Sequence, residues 1–394
     1  MTKPNATPND LAAGLPSDLP EQRELGRVLG SEPGPTLIAV GGIHGNELGG
    51  VRAARRVLER LSRGDVTVRG EVVAFAGNVA AMREGLRYHA KDLNRQWNER
   101  AVARLDAGPP EAEIDSEDRE QLALLAAIRE AIGRARGPVY LVDLHTTSAS
   151  GVPFVIFGDT LPQRHFVRHL PLPIIMGLEE QVDGVLAEYW TRQGCVTFTV
   201  EGGQHRDPGA VDNLEAALLL AAQEAGVFAH GALVETRAAH TLLEGRRGDL
   251  PRVMEVVSRH AIAEEDHFKM EPGFRNLDHA RAGQLLAHDK GGAIRAPRDG
   301  LVLLPLYQGL GADGFFWGRA VSTARLLASE AVRHLELDRF LDWLPGVRRD
   351  ETHPSRFLVN THIARLYPLD VFHVLGYRRI RQRSGRLVVE RQLG

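Results

Sequence analysis

The sequence predicts an α/β fold: a mixed, mostly parallel sheet with helices on both faces, followed by a smaller, mainly β C-terminal domain. Three observations carry this reading. Short apolar runs alternate with amphipathic helical stretches from about residue 36 to 225. Several of those runs end in glycine or a polar residue, as buried strands do at the carboxyl edge of a parallel sheet. After about residue 230 the composition turns to β-branched runs, glycine and proline. At about 100–200 residues per domain, 394 residues suit two or three domains. The expected division is a flexible arm over 1–30, an α/β domain over 31–230, a β domain over 231–329 and an extension over 330–394.

In chain order, residues 1–30 are rich in Pro, Asn and Asp and carry weak periodicity, hence the arm. Thr36–Gly42 is an apolar run closed by glycines. Glu47–Leu61 then places Leu48, Val51, Ala54, Val57, Leu58 and Leu61 at helical spacing. Glu71–Ala76 reads as a second strand, Ser116–Arg134 as a helix and Pro138–Leu144 as a third strand. Further strands are expected at Val152–Phe157, Pro173–Met176 and Val196–Val200, between helices near Pro162–His169, Asp183–Gln193 and Val211–Ala225. Beyond 230, Val253–Ser258 and the run Ala293–Pro305 read as strands. The extension mixes a helix around Leu337–Trp343 with strand-like segments at Val371–Arg378 and Arg386–Arg391.

Composition narrows the function classes. Forty-eight basic against 51 acidic side chains leave a net charge of -3, so no global field draws nucleic acid or anionic lipid. No run of about 18 uncharged apolar residues occurs, and the expectation is a cytoplasmic protein without a membrane anchor. The single cysteine, Cys195, excludes an internal disulfide and a Cys-rich metal site, and is expected to be a small buried hydrophobe. Trp97, Trp190, Trp317 and Trp343 are expected to anchor cores. Homo-oligomerisation is left open.

Chemistry concentrates at strand ends. The first strand runs into Gly41-Gly-Ile-His44-Gly-Asn-Glu47, and of the 16 histidines His44 alone has a glutamate three residues later. Imidazole and carboxylate on one turn suit Zn²⁺, although a histidine capping a glycine-rich turn accounts for the motif equally well. The turn lacks the Gly-Lys-Ser/Thr of a phosphate loop and the spacing of a dinucleotide fingerprint. His145, ending Asp143-Leu-His145-Thr, stands at the edge where His44 should lie and supplies a third ligand. Asp143 shares its face, either orienting it or resting as a buried acid. Glu201 ends the run Cys195–Val200 beside two glycines and is placed for a general base or a helix cap. The loop Arg87-Tyr-His-Ala-Lys-Asp92-Leu-Asn94-Arg95 can grip a carboxylate or simply be solvated. His205 reads more readily as a surface-loop residue than as a pocket residue.

Taken together and in order, Gly-Gly-Ile-His-Gly-Asn-Glu, Gly-Asn then Arg-Tyr then Asp-Leu-Asn-Arg, Asp-Leu-His-Thr and Val-Glu-Gly resemble the succinylglutamate desuccinylase and aspartoacylase family over residues 36–225. The resemblance implies a fold similar to the zinc carboxypeptidases and makes 31–230 a zinc-dependent catalytic domain. It further implies that His44, Glu47 and His145 bind one Zn²⁺ and that Glu201 is the base and proton shuttle. Arg87 would polarise the scissile carbonyl, while Asn94 and Arg95 hold the substrate carboxylate. The implied partner is a small N-acyl amino acid. For two further substrate residues of the family, Arg192 and Tyr307 are loose candidates. The rivals are a carboxypeptidase-like zinc peptidase, if the second domain leaves the cleft open, and a catalytically silent zinc-binding regulatory protein.

Overall fold

The computed structural model describes residues 19–391, apart from 179, 309–310, 336, 352, 354, 361–368 and 384–385. The alternation over the first half folds as β1 (Glu24–Leu29), β2 (Glu32–Gly41), α1 (Gly49–Leu61), β3 (Arg69–Ala76), α2 (Val79–Glu84), α3 (Glu99–Asp106), α4 (Ser116–Arg134) and β4 (Val139–Thr147). It continues as β5 (Phe154–Ile156), α5 (Leu161–Val167), β6 (Ile174–Met176), α6 (Leu186–Arg192), β7 (Val196–Gln204), α7 (Pro208–Glu224) and α8 (Glu235–Arg247). The later strands are β8 (Val253–Ala261), β9 (Lys269–Met270), β10 (Asp278–Ala280), β11 (Leu285–Asp289), β12 (Gly292–Arg295), β13 (Gly300–Leu303) and β14 (Asp313–Ala320). The C-terminal part holds α9 (Thr323–His334), β15 (Val347–Arg349), β16 (Arg356–Asn360), α10 (Leu369–Val374), β17 (Tyr377–Arg383) and β18 (Arg386–Arg391).

Eleven strands form one sheet in the order β1-β3-β2-β4-β7-β5-β6-β8-β14-β13-β10. Its centre is mostly parallel, through the pairs β2–β3, β2–β4 and β4–β7, while β5 runs antiparallel to β7. Alternating side chains divide the core between the two faces. Leu37, Ala39, Leu144, Phe198 and Val200 pack with α1 and α7, whereas Ile38, Val40, Phe75 and Leu141 pack with α4 and α6. Helices therefore cover both faces, as the sequence predicts.

Several expectations are corrected. Residues 24–29 belong to no free arm: they pair antiparallel with β3 as an edge strand, while residues 1–18 lie outside the described residues. The smaller mainly β region is present, and β8 pairs with β6, carrying β14, β13 and β10 into the main sheet. Its apolar core joins Phe154 and Ile175 to Met254, Leu301 and Phe316. Residues 235–247 form a helix that the change in composition conceals. Val371–Val374 are helical rather than extended, with the strand starting at Tyr377. Trp97, Trp190 and Trp317 are buried, but Trp343 is 78% exposed. Cys195 is buried. Among the described residues no helix is long and apolar enough to cross a membrane.

Candidate functional site

The carboxyl ends of β2, β4 and β7 deliver four side chains to one point. Helix α1 starts tight against the sheet: a Cβ on Gly50 would lie 2.6 Å from the Leu144 carbonyl oxygen, and one on Gly41 would lie 2.5 Å from Gly50 backbone. The intervening turn, closed by the Glu47 N–H donating to the His44 carbonyl at 3.0 Å, points both side chains back over the sheet edge. His44 Nδ1 lies 2.9 Å from Glu47 Oε1, and His145 Nδ1 lies 3.2 Å from Glu47 Oε2. Ligand atoms of these three residues come within 4.8 Å of one another, the one such group of three among the described residues.

Each imidazole is gripped from behind. His145 Nε2 lies 2.8 Å from Asp143 Oδ2, the same-face neighbour that strand alternation predicts. His44 Nε2 lies 3.1 Å from Asp92 Oδ1. Two buried histidines that present Nδ1 to a shared carboxylate and rest Nε2 on other carboxylates have the outer hydrogen bonds typical of metal-ligating imidazoles. Burial alone would raise the Glu47 carboxyl, but the charges and hydrogen bonds of His44 and His145 hold it well below its ordinary value.

Glu201 stands directly across the ladder from His145, in register on β4 and β7. It belongs to the strand rather than to a helix cap, and its Oε2 is buried without a hydrogen-bond partner. Burial pushes its carboxyl up to about 8; the His145 charge opposes this, and the Glu47 and Asp143 charges add to it. A carboxyl poised near neutrality can take and return a proton.

The loop after α2 supplies the remaining groups. Arg87 donates from Nη1 to Glu47 Oε1 at 3.2 Å and from Nη2 to Asp92 Oδ2 at 3.2 Å. Arg95 donates to the Asn94 carbonyl and, at 2.9 Å, to Asp313 Oδ2 on β14. Asn94 Oδ1 accepts from the Leu186 N–H at 2.8 Å. The loop is far from merely solvated: Glu117, in the first turn of α4, accepts the backbone N–H groups of His89, Ala90 and Lys91.

A single cavity of about 170 Å³ is lined by His44, Glu47, His145, Glu201, Arg87, Asn94 and Arg95 together. The seven residues to which the sequence assigns metal binding, the base, carbonyl polarisation and the clamp therefore meet. His205 also lines it, with Nδ1 2.8 Å from Thr146 Oγ1, correcting its reading as a surface residue. Arg192 and Tyr307 do not line it. Arg192 pairs with Glu188 at 2.7 Å, and the Tyr307 hydroxyl donates to the Glu271 carbonyl. Sequence reasoning gave no role to Asp92, Glu117 or Asp313. Asp92 was within reach, since it caps the 3₁₀ turn that carries Asn94; the other two act across long sequence separations that leave no local signal.

A model of the succinylglutamate desuccinylase/aspartoacylase catalytic domain matches residues 33–229. The succinylglutamate desuccinylase of Pseudomonas paraeruginosa is 26% identical over 269 residues, 66% of this chain and 75% of that protein. The succinylglutamate desuccinylase of Pseudomonas fluorescens is 36% identical over 113 residues, 29% of this chain and 31% of that enzyme. Among solved structures, the product-bound ectoine utilization protein EutE (DoeB) from Ruegeria pomeroyi superposes with a TM-score of 0.54. It is 20% identical, with 75% of this chain and 88% of that chain covered.

Proposed function

The chain belongs to the succinylglutamate desuccinylase/aspartoacylase family, and from that premise we propose that it is a zinc hydrolase cleaving the amide bond of an N-acyl amino acid. The observation that carries this reading is a buried carboxyl, Glu201, left without a partner on Oε2 beside a convergent His-Glu-His donor set. Two imidazoles and one carboxylate, oriented by Asp143 and Asp92, fit the three protein ligands of a catalytic zinc. His44 and His145 through Nδ1, and Glu47 through its carboxylate, would hold the ion. When bound, zinc supplies Lewis-acid chemistry, making water more acidic and an amide carbonyl more electrophilic.

The chain's own groups do the rest. Glu201 takes a proton from the attacking water and delivers it to the departing amide nitrogen, so that one carboxylate and one amine leave. Arg87, fixed by Asp92, offers N–H groups to the oxygen on which negative charge develops. Asn94 and Arg95 hold the carboxylate of the amino-acid half. Leu304–Leu306, Ala312, Asp313 and Phe316 wall the cavity; this favours a small substrate over an extended peptide. A silent zinc-binding role has no use for Glu201 or for the clamp.

The test is a screen of N-succinyl amino acids, N-acetyl amino acids and short peptides against zinc-supplemented protein, with metal measured by elemental analysis. About one zinc per chain and turnover of N-acyl amino acids are expected. Cleavage confined to peptides, or undiminished zinc in a His44→Ala, His145→Ala double variant, would sink the reading.

A further inference from the structure

Beyond the reacting centre, the cavity continues along β7. Thr199 sits two residues before Glu201 on the same strand face, in register with Ile156 of β5. Leu178, Val182, Val185, Ala187 and Glu188 also line the cavity, and the chain around Gly184 and Leu186 is bound to the clamp loop. Gly184, with φ +74°, comes so close that a Cβ would lie 2.4 Å from the Arg95 carbonyl oxygen. The Trp97 N–H donates to the Gly184 carbonyl at 2.9 Å, and the Leu186 N–H to Asn94 Oδ1. Whatever occupies this space is therefore attached to the half of the substrate whose carboxylate the clamp holds: the side chain of the leaving amino acid.

That space is apolar. Ile156, Leu178, Val182, Val185 and Phe316 line it, and Ile156, Leu178 and Val185 are half-buried at the margin of the core formed by Val182 and Phe316. Charge points the same way. Arg87 and Arg95 are the guanidinium groups on the cavity, and no lysine lines it among the described residues. Arg87 is occupied with Glu47 and Asp92. Arg95 shares Asp313 with Arg259 of β8. Two guanidinium charges against one carboxylate leave one positive charge, enough for one substrate carboxylate. Away from the reacting centre, where Glu47, Asp92 and Glu201 also line the cavity, the other carboxylate, Glu188, is paired with Arg192. A second substrate carboxylate would thus be buried among aliphatic groups without a cation, and an ammonium would find Asp313 and Glu188, the two acids beyond the reacting centre, already matched.

We propose that the leaving amino acid carries one carboxylate and an uncharged, apolar side chain seated against Ile156, Leu178, Val185 and Phe316, rather than the acidic side chain of aspartate or glutamate. This rests on the reading of the site as an N-acyl amino acid hydrolase and narrows its substrate class. Asp313 is then a positioning residue: it fixes the Arg95 fork and sets how much charge the clamp presents.

The test is calorimetric binding to the zinc-supplemented Glu201→Gln variant, which needs no turnover. The probes are N-acetyl-L-leucine, N-acetyl-L-phenylalanine, N-acetyl-L-glutamate and Nα-acetyl-L-lysine. The leucine or phenylalanine derivative should bind at least about tenfold more tightly than the charged ones, the worth of burying one aliphatic side chain. Leu178→Arg should reverse the order in favour of glutamate, a change that simple loss of packing would not produce. Tightest binding of the glutamate or lysine derivative in the unsubstituted pocket would overturn the proposal, as would equal binding of all four. If the leucine derivative binds as expected but the parent enzyme does not hydrolyse it, the reaction assignment fails and the pocket assignment stands.

Discussion

At the scale of single residues, the site combines groups whose environments push them apart. Glu47 is held ionised by two imidazoles, whereas Glu201, in register with His145, is buried without a hydrogen bond to Oε2. The consequence can be measured in metal-stripped protein. Glu201 titrates at about 8 in the fold against an ordinary value of 4.5, so the folded state binds the proton more tightly than the unfolded state does. Its contribution to stability is complete below the ordinary value and is lost as pH rises through the folded value. Glu201→Gln removes this dependence. Relative to the parent, the metal-free variant should gain thermal stability steadily between about pH 5 and pH 8. A difference in Tm that stays constant across that range would show that Glu201 is not held in an unfavourable environment. The positions of His44, Glu47, His145 and Glu201 were legible because each stands at the end of an apolar run. Asp313 was not, because it meets Arg95 from 218 residues away and nothing around it in sequence marks the pairing.

At the scale of elements, the regular alternation made β2, β3, β4 and α4 legible, since each buries residues at its own period. Elements whose pattern is weaker were missed for identifiable reasons. Strand β1 is a sheet edge with mixed exposure along Glu24–Leu29, which reads as polar chain. In α10, Val371, Phe372 and Val374 have strand-like propensity, yet the segment folds as a single helical turn and a half, with Phe372 buried in the C-terminal core. The loop from Arg87 to Arg95 is a case in which an element far away in sequence imposes order. Glu117 satisfies three consecutive backbone N–H groups and the Asn78 side chain. Its replacement by Ala should cost about 2–3 kcal/mol in urea denaturation, because buried donors lose their acceptor. Hydrogen exchange should quicken at His89, Ala90 and Lys91, and protection unchanged there would mean that the loop is ordered by other contacts.

At the scale of the whole molecule, the change in composition near residue 230 marks no break in the sheet. Strand β8 continues it from β6, and Met254, Val256, Leu301 and Phe316 share a core with Phe154 and Ile175. A buried ion cluster extends the same continuity to the C-terminal part, where Arg333 of α9 donates to the carboxylate of Asp159, which Arg164 also holds. The cavity needs both parts as well, since Asp313 and Phe316 line it together with Asn94 and Arg95. A chain ending at residue 230 is therefore expected to aggregate or stay unfolded, with β6 left as an open edge and half an apolar core exposed. The full chain should melt in one cooperative step. A soluble 1–230 fragment with its own sharp transition would contradict this, and would restore the two-part division that composition suggests.

The central claim is that Glu201 moves the proton while His44, Glu47 and His145 hold the metal. It is tested most directly by the turnover number of zinc-supplemented Glu201→Gln on the best N-acyl amino acid, with bound zinc measured in the same sample. The account predicts that kcat falls by about 10²–10⁴-fold, the usual worth of a positioned general base, while zinc content and KM stay near those of the parent. A variant that retains most of its turnover, or that loses zinc as Glu47→Gln should, would contradict it.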